Sequence, residues 1–367
     1  MNFLFILAIA LPFPLFWMSG GFSNQENKEN RTLKEFPTFH ADKWDTYFVE
    51  LDTFINDYAP FKNLAVTAYN SFQIDWFGET DINAQVIVGK EDWLFSKHDD
   101  AYENYKNFHL PDEKDLQYIA EQINKMQQLC QEKNISFHFS VMPNKEQIYG
   151  EYMPPQIKVS DLKTSGIEMI MNHVNDSINF QFIYPKDELL KEKENHDVYY
   201  KYDSHWNRIG GFIGAQQIID AISGSRSYVK DVQWTVRNDR VGDLAILLNM
   251  DQRYNNDCEY NGNYLSDVTY ETVERSSDSR FIHTKCAEAK NDRVLLLICD
   301  SFSNNMRQYL AKNFKECYFI RRELAMEKDF NIISMNPDII VVESVQRLAE
   351  RVLSTGLPKF IADLSNS

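Results

Sequence analysis

LLLICDSF, at residues 295–302, joins an apolar run to an acid, a serine and an aromatic residue. The run 294–299 predicts a buried strand, since a short continuous apolar segment is typical of a strand covered on both faces. Asp300 and Ser301 then fall where this strand ends and a helix at 304–313 is predicted to begin. Ligands of open α/β sheets bind at that edge, so Ser301 is placed as a serine nucleophile would be. A plain helix N-cap is the competing interpretation, because Asp and Ser are also preferred there.

Apolar spacing predicts alternating helices and strands along most of the chain. Such alternation favours an α/β fold with a parallel sheet and right-handed crossovers. Residues 224–290 are rich in turns and are predicted to form an insertion on the sheet edge, with β-like pieces at 231–236 and 267–270. The other predicted elements are a helical stretch 40–75 broken at Pro60, two short strands within 86–95, helix 111–134, strand 135–142, helix 161–176, strand 180–184, helix 207–222, strand 294–299, helix 304–313, strand 317–321, helix 323–335, strand 338–342 and helix 344–354.

The N-terminal segment differs from the rest of the chain. Phe3 to Met18 is almost wholly apolar and contains no charged residue. It is shorter than the roughly 20 residues of a comfortable membrane span, which suits a secretory signal or a short membrane anchor. We therefore expect residues 1–20 to be a signal peptide or signal anchor, with a buried helix as the lesser alternative. Residues 21–80 are predicted as a linker and helical segment, and 81–360 as the catalytic domain outside the cytoplasmic membrane.

The composition limits the kinds of partner. The chain has 367 residues, 43% of them hydrophobic, and a formal net charge of −16. This charge argues against nucleic acid, which needs clustered Lys and Arg. It also makes a strongly anionic polysaccharide a less natural substrate unless a local basic patch overrides the field. Arg321 and Arg322 form the only such patch near a predicted strand end.

Five cysteines leave an odd thiol. Cys130 and Cys299 lie in apolar segments and are predicted to be buried thiols. Cys258 and Cys286 flank a turn-rich stretch and can pair in an oxidising compartment. No CxxC or Cys/His cluster indicates structural zinc, and neither a metal nor another cofactor is expected.

The segment Asp203-Ser204-His205-Trp206 supplies an acid and a base for the serine. A serine alone is a poor nucleophile and needs a base within hydrogen-bond reach. In an extended segment, residues two apart face the same way, so Asp203 can orient the ring of His205. Half of a metal site is the alternative interpretation of an Asp-x-His pair.

Five short motifs, in register from about residue 80 to 355, together resemble a known family. They are similar to alginate O-acetyltransferases of the AlgJ/AlgX type and to DHHW-type SGNH-hydrolase-like proteins. The motifs are Val86-Ile87-Val88-Gly89-Lys90 with Trp93-Leu94-Phe95, Met142-Pro143-Asn144-Lys145 with Ile148-Tyr149, Tyr202 to Trp206, Gly242-Asp243-Leu244-Ala245, and Cys299 to Phe302.

This resemblance implies a circularly permuted SGNH-hydrolase-like fold, a flavodoxin-like parallel sheet in which the acid and base precede the serine. It implies that Ser301 is the nucleophile, His205 the general base and Asp203 its orienting acid. It also implies an extracytoplasmic acetyltransferase that works beside a membrane-bound O-acyltransferase and moves acetyl groups onto hydroxyls of an exported polysaccharide.

The sequence departs from the family pattern at two positions. Cys299 replaces the usual glycine before Asp-Ser, and Ser204 replaces the first histidine of DHHW. In addition, Glu343 stands where standard SGNH enzymes have an asparagine that donates to the oxyanion, and a carboxylate cannot donate. The candidate oxyanion or substrate contacts are therefore Asn144, Arg347, Arg322 and Trp206, with a structural salt bridge as the alternative for Arg347.

Three other functions compete with acetyl transfer. An acetyl-esterase uses the same residues, with water as the acceptor. A non-catalytic glycan-binding scaffold is compatible with the many aromatic residues, of which Trp234 is the best candidate for sugar stacking. A metallohydrolase built on Asp203 and His205 is the most distant alternative.

Overall fold

Helices and strands alternate in the computed structural model of the chain, as the apolar spacing predicts. The structure describes residues 32–40, 42, 44–59, 61–78, 80, 84–108, 110–157, 164–224 and 232–366, with the isolated residues 6, 10, 14, 17, 18, 27 and 28. The strands are β1 (Val86–Val88), β2 (Leu94–Ser96), β3 (Ser136–Met142), β4 (Trp234–Arg240), β5 (Asp257–Gly262), β6 (Glu271–Arg275), β7 (Phe281–Lys285), β8 (Asn291–Cys299), β9 (Phe314–Arg321) and β10 (Ile339–Val345). The helices are α1 (Trp44–Asp57), α2 (Lys62–Phe77), α3 (Ala101–Lys106), α4 (Glu113–Glu132), α5 (Lys145–Ile148), α6 (Gly166–Ile178), α7 (Lys186–Glu192), α8 (Arg208–Ser223), α9 (Asp243–Leu247), α10 (Arg307–Asn313), α11 (Arg322–Ala325), α12 (Gln346–Arg351) and α13 (Leu357–Asn366).

A six-stranded sheet forms the centre, in the order β3-β10-β8-β9-β7-β6. The first four of these strands are parallel, while β7 and β6 extend one edge in antiparallel pairing. The predicted α/β fold is thus confirmed, and the predicted insertion contributes the antiparallel edge. Because β8 lies between β10 and β9, the carboxyl ends of three parallel strands meet around the serine turn.

The central strand β8 is covered on both faces, which explains its continuous apolar sequence. Leu295 and Leu297 point into one core, where α8 and α10 pack, and Leu296 and Ile298 point into the other, against α4, α6 and α13. All four side chains are fully buried. Burial of such a side chain contributes roughly 1.5–3 kcal/mol, so the strand end that holds the serine is anchored firmly.

Helix α8 packs very closely against the serine turn, as its glycines predict. A Cβ atom on Gly211 would lie 2.5 Å from the carbonyl oxygen of Asn305, and one on Gly214 would overlap the ring of Trp206. Asn207 accepts hydrogen bonds from the backbone N–H groups of Ile209 and Gly210, which confirms it as the N-cap. The helix is thereby fixed directly behind the predicted base.

Three predicted elements differ in the structure. The stretch 180–184 makes only an isolated bridge between Ile183 and Ser140, because within the described residues Ile183 alone supplies its backbone hydrogen bonds to β3. The stretch 323–335 is not one helix, since α11 ends at Ala325 and the side chain of Asn331 caps a separate 3-10 turn. Residues 267–270 form a turn and a loop before β6 instead of a strand.

The suggested pairing of Cys258 with Cys286 is wrong, because both thiols are free. Cys258 lies on β5, which pairs with β4 in a separate two-stranded sheet, whereas Cys286 follows the edge strand β7. The Sγ of Cys286 lies 3.3 Å from the carbonyl oxygen of Thr269. Cys130 and Cys299 are buried thiols, as predicted.

The predicted signal segment at 1–20 and the linker after it lie, apart from isolated residues, outside the described residues. Within the part of the chain that the structure describes, none of the helices is both long and apolar enough to cross a membrane. The helical pattern at 40–75 is confirmed as α1 and α2.

Candidate active site

Ser301 begins a 3-10 turn, Ser301–Asn305, at the carboxyl end of β8. Asp300 fixes this turn: its Oδ1 accepts from the N–H of Phe302 at 2.9 Å and its Oδ2 from the N–H of Val345 at 2.7 Å. Ser303, the second hydroxyl of the turn, donates to the carbonyl oxygen of Asp300 and so points away. The acid before the serine is thus a cap that ties the turn to β10, and the Ser301 hydroxyl is left for other partners.

The hydroxyl of Ser301 meets His205. Its Oγ lies 2.7 Å from Nε2 of the imidazole, and Nδ1 of the same ring lies 2.7 Å from Asp203 Oδ1. A proton on Nδ1 satisfies Asp203 and leaves Nε2 to accept the serine proton, which is the arrangement a general base requires. The structure therefore brings together the three residues that the sequence predicts as nucleophile, base and acid.

Asp203 is held as a buried anion. Its Oδ2 accepts from Arg240 Nη2 at 2.7 Å and from the backbone N–H of Asp243 at 3.2 Å, and its side chain is 3% exposed. Burial alone would raise its pKa, but the hydrogen bond and charge of His205, with the charge of Arg240, bring the pKa well below its usual range. Asp203 therefore stays ionised and can stabilise an imidazolium.

Two carboxylates raise the basicity of His205. Burial opposes protonation of the ring, but hydrogen bonds and charge from Asp203 and Asp243 outweigh it and raise the pKa of His205 to about 9. Asp243 Oδ2 lies 3.4 Å from Nδ1 and also accepts from the Ser204 hydroxyl at 2.6 Å. The serine that replaces the first histidine of DHHW therefore ties this second carboxylate to the base.

The glycine before Asp243 is needed for this contact. A Cβ atom on Gly242 would overlap the carbonyl oxygen of Tyr202, a backbone atom of the loop that carries the base. Any other residue would push the two segments apart and move Asp243 with them. The motif Gly242-Asp243 is part of the family resemblance, but its sequence alone does not reveal this role.

Lys145 is a buried support whose role the sequence patterns do not reveal. It is 3% exposed, and its Nζ donates to three backbone carbonyls. These belong to Leu94, Lys201 and Asp203, at 2.6, 2.9 and 3.0 Å. Burial lowers the pKa of Lys145 to about 8, against the effect of nearby carboxylates. The lysine joins β2, α5 and the loop of the acid, and so sets the position of Asp203.

Trp206 is not an oxyanion donor. Its indole N–H donates to the carbonyl oxygen of Phe302 at 2.8 Å, and the side chain is fully buried. Its ring packs against that of Phe302, which also contacts the ring of His205. The predicted substrate contact is thus a brace between the base and the serine turn, because its single donor is already used.

A second group of polar residues reaches the serine turn through Phe302 and consists of Asn144, Glu146 and Arg347. The Asn144 side chain stabilises the Glu146 carboxylate, whereas the buried Arg347 Nε has no hydrogen bond within the described chain. The Arg347 guanidinium lies over the ring of Phe302, 5.7 Å from its centroid, and its backbone N–H donates to Asn144 Oδ1 at 3.2 Å. The ion pair of Arg347 with Asp99 is long, at 3.9 Å. We call the group of Asn144, Glu146 and Arg347 the arginine side.

Glu146 is the residue of the arginine side whose pKa lies near neutral pH. Burial raises its pKa to about 7, although its own backbone, Arg347, Asn144 and Lys145 all favour the ionised form. A carboxyl group of this pKa is poised between its two forms near neutral pH. Its charge therefore balances that of Arg347 only in part.

Glu343 braces the serine turn from β10. Its Oε2 accepts from the N–H of Asp300 at 3.1 Å. Burial, together with the charge of Asp300, raises the pKa of Glu343 well above its usual range. Its observed partner is the backbone of the turn, so in this structure Glu343 accepts a hydrogen bond there.

Arg322 pairs with its neighbour Glu323 at 3.2 Å, and its Nη1 is buried without a hydrogen bond among the described residues. No contact of Arg322 with Ser301, His205 or Asp203 is present in that part of the chain. It stays a candidate substrate contact on position alone, at the carboxyl end of β9.

A metal site is sterically possible at the base. Asp203, His205 and Asp243 each offer a ligand atom, and these atoms lie within 4.8 Å of one another. Arg240 already contacts the Asp203 carboxylate at 2.7 Å, however, so the acid has a cation of its own. The positions of Asp203, His205 and Asp243 are thus as compatible with hydrogen bonds balanced by the charge of Arg240 as with a bound metal ion.

Comparison with protein families gives one match. The family model described as an SGNH hydrolase-like domain of the acetyltransferase AlgX matches residues 86–317, well over half of the chain and including Asp203, His205 and Ser301. No match was found among proteins of curated function.

Solved structures show the same fold. Bacillus cereus PatB1 is similar with a TM-score of 0.54 and 18% identity, over 76% of this chain and 100% of that chain. A DHHW family protein from Eubacterium siraeum is similar with a TM-score of 0.53 and 15% identity, over 79% of this chain and 97% of that chain. At such identities the likeness concerns the fold alone.

Proposed function

Because this chain belongs to the family of SGNH hydrolase-like domains of the AlgX acetyltransferase type, we propose that it is an O-acetyltransferase that acts on hydroxyls of an exported or cell-surface polysaccharide. The observation that carries this proposal is the 2.7 Å contact between His205 Nε2 and Ser301 Oγ, with Asp203 behind the ring. The fold shared with PatB1 and the DHHW protein supports it.

The first half of the reaction acetylates the serine. Ser301 Oγ attacks the acetyl carbonyl of the donor while His205 Nε2 takes the hydroxyl proton. Asp203 stabilises the imidazolium that forms. The tetrahedral intermediate then collapses, the bond to the leaving group breaks, and His205 returns the proton to that group. The products are acetyl-Ser301 and the free donor.

The second half transfers the acetyl group. A sugar hydroxyl attacks the carbonyl of acetyl-Ser301, and His205 takes the proton of that hydroxyl. Collapse of the second tetrahedral intermediate breaks the ester bond to Ser301, which regains its proton from His205. The sugar leaves as an acetyl ester, and the enzyme returns to its starting state.

Arg347 is the best candidate for the side-chain donor to the oxyanion. Its guanidinium lies over Phe302, the residue next to the nucleophile, and its Nε has no hydrogen bond within the described chain. The first N–H groups of a helical turn have no partner within it, so the Ser301 N–H is the backbone donor that we assign. Asn144 then acts as a positioning residue, since its Oδ1 holds the backbone of Arg347.

The place of the reaction is part of the proposal, and the family and the N-terminal sequence support it. We place the catalytic domain outside the cytoplasmic membrane, because Phe3 to Met18 is apolar and free of charged residues. As the partner we propose a membrane-bound O-acyltransferase that delivers the acetyl group across the membrane. Fractionation of cells that contain the full chain tests the location, and co-purification of such a membrane protein tests the partner.

Hydrolysis is the second candidate activity. The side chain of His205 is 24% exposed, so water can reach the base once the donor has left. An acetyl-esterase would use the same three residues, and only the acceptor decides between the two activities.

The test is a partition experiment with the full chain, p-nitrophenyl acetate and short neutral and acidic oligosaccharides. We expect acetylated oligosaccharide in the products, detected by mass spectrometry, with free acetate as the minor product. Acetate alone, at every oligosaccharide concentration, would establish the esterase. Equal activity of Ser301→Ala would overturn both.

A further inference from the structure

Helix α2 packs on the domain through its polar side. Asn70 Nδ2 donates to the carbonyl oxygen of Leu248 at 2.8 Å, and the Thr67 hydroxyl donates to that of Asn249 at 2.8 Å. Asn70 and Ile74 are the two buried residues of the helix. A surface helix of a globular protein normally turns its apolar side to the core and its polar side to solvent. In α2 this arrangement is reversed, because hydrogen bonds to backbone carbonyls hold the helix in place.

The opposite side of α2 is apolar and exposed. Leu64, Ala68, Phe72 and Trp76 are four residues apart and so form one stripe along the helix. Leu64, Phe72 and Trp76 are 67%, 50% and 77% exposed. Phe77 is 63% exposed, and its ring lies 5.7 Å from that of Phe72. We call Leu64, Phe72, Trp76 and Phe77 the aromatic face. An exposed apolar surface of this kind marks an interaction site.

The charges around the aromatic face indicate the kind of partner. Residues 44–77 contain five acidic residues and one lysine, a net charge of −4. Asp75, the acidic residue beside Trp76, is already paired with Arg253 at 2.7 Å. The aromatic face itself is uncharged, and Trp in particular is enriched where a protein meets the interfacial region of a lipid bilayer. An uncharged aromatic surface therefore complements lipid better than it complements a charged macromolecule.

The length of the chain before α1 limits how far a membrane can lie from this face. Lys28 follows the apolar segment Phe3–Met18 by ten residues and forms an ion pair with Asp251 at 2.6 Å. Asp251 lies two residues beyond Asn249, which is a backbone contact of α2. Ten residues span at most about 35 Å. A bilayer that held the apolar segment would therefore lie within that distance of Asp251, beside α2.

We infer that the aromatic face inserts into the lipid–water interface of the membrane, as a second contact besides the N-terminal segment. This inference rests on the location given in the proposed function. An apolar helix face of this type is buried by roughly 5–10 Å, at the boundary of headgroups and acyl chains. Because residues 44–77 are net negative, the contact depends on apolar area and not on anionic headgroups. Phosphatidylcholine, which is zwitterionic, is therefore a sufficient lipid.

The contact would orient the active site relative to the membrane. The backbone groups that hold α2, at Leu248 and Asn249, directly follow α9, which begins at Asp243. Asp243 is the second carboxylate beside His205. The five residues of α9 span about 7.5 Å, so the base lies a short distance from the packing site of α2. Such an orientation keeps Ser301 near the surface at which a membrane-bound donor would present its acetyl group.

The test is photo-crosslinking of the full chain in phosphatidylcholine vesicles that contain a lipid with a diazirine in its acyl chain. Lipid adducts are mapped on tryptic peptides by mass spectrometry. We expect adducts on residues 63–90, which contain the aromatic face, about tenfold more often than on residues 115–125. The latter peptide is the matched control, because it contains Tyr118, an exposed aromatic residue of α4. Addition of anionic phosphatidylglycerol should not increase the adducts on 63–90.

Variants separate the aromatic face from the rest of the peptide. The double variant Phe72→Gln, Trp76→Gln should lower the adducts on residues 63–90 about tenfold, whereas Tyr118→Gln should leave them unchanged. Glutamine has a high helix propensity, so α2 should be retained. Both variants should hydrolyse p-nitrophenyl acetate as the wild type does, which shows that they are folded, since neither changes a residue of the active site.

Adducts on residues 63–90 no more frequent than on 115–125 would overturn the inference. So would cross-links from 63–90 to a second copy of the chain, or to a membrane protein in native membranes, in place of lipid adducts. The labelling needs no acetyl donor, and Ser301→Ala should give the same adducts as the wild type. Lipid adducts on 63–90 in a chain that transfers no acetyl group would therefore contradict the proposed function and leave the membrane contact standing.

Discussion

Asp203 and His205, which we call the histidine side of the active site, differ from the arginine side in how their polar atoms are hydrogen-bonded. On the histidine side, both oxygens of Asp203 and both ring nitrogens of His205 have partners within 3.2 Å. On the arginine side, the buried Arg347 Nε lacks a hydrogen bond within the described chain. If the proposed roles hold, the groups that transfer the proton are fixed before substrate arrives, whereas the arginine side retains a donor for the substrate.

The same difference appears in the charges. The pKa of Asp203 is lowered and that of His205 is raised, so each stabilises the ionised form of the other. Glu146, on the arginine side, has a raised pKa because the effect of burial is larger than the opposing effects of the cations Arg347 and Lys145. Asp203 and His205 therefore stabilise each other as an ion pair, whereas the charges of the arginine side are less well balanced and would be stabilised more by a bound ligand.

The largest effect is expected from loss of the base. His205→Ala should lower kcat by about 10⁶-fold, as loss of a catalytic histidine does in serine hydrolases. His196→Ala is the matched control, because this half-buried histidine pairs with Glu192 away from the serine. Steady-state kinetics with p-nitrophenyl acetate measures both. A loss of kcat of less than tenfold in His205→Ala would mean that His205 is not the general base.

The next effect is expected from neutralising the acid. Asp203→Asn should lower kcat about 10⁴-fold, because the amide favours the wrong imidazole tautomer. The amide keeps the shape of the side chain but loses the 2.7 Å ion pair with Arg240, so circular dichroism has to establish that the variant is folded. A near-normal kcat in this variant would show that the contact between Asp203 and His205 supports only the structure and not catalysis.

The meeting of Ser301, His205 and Asp203 could be predicted from sequence. The strand-end position of Ser301 and the two-residue spacing of the acid and base depend on local rules. Lys145, Arg240 and Asp243 could not be assigned, because each reaches Asp203 from a distant segment with no local periodicity. Trp206 was assigned wrongly since a sequence does not show that its N–H is used by Phe302. The catalytic roles themselves stay predictions until the kinetics of the variants test them.

A smaller effect is expected on the arginine side. Arg347→Gln should lower kcat by about 10²–10³-fold, the usual cost of one oxyanion donor, with little change in KM. Arg351→Gln is the matched control, an exposed arginine on the same helix that pairs with Asp100 at 3.5 Å. If the arginine side serves only to bind acceptor, KM will rise instead and kcat will be kept.

The smallest effect, about tenfold for each pH unit, is expected from pH. General-base catalysis needs neutral His205, so kcat/KM should rise roughly tenfold per unit up to a pKa of about 9. In Asp243→Asn the rise of kcat/KM with pH should end at a lower pH, because this variant lacks one of the two carboxylates near Nδ1. If the pH dependence is the same as in the wild type, Asp243 does not contribute to the raised pKa of His205.

The contribution of His205 to folding stability should fall as pH rises, which is the opposite of its effect on activity. A raised pKa means that the folded state favours the protonated ring, which stabilises the fold below the ordinary pKa of about 6.5. This contribution is lost as pH rises toward 9. The difference in unfolding free energy between wild type and His205→Gln should therefore narrow over that range in urea titrations.

The most direct test of the central claim is the mass of the acetylated enzyme. The full chain is mixed with p-nitrophenyl acetate, quenched with acid within seconds, and analysed by intact mass and peptide mapping. We predict one added acetyl group on the peptide that contains Ser301, and none on Ser301→Ala. An equal acetyl adduct on Ser301→Ala would contradict the account.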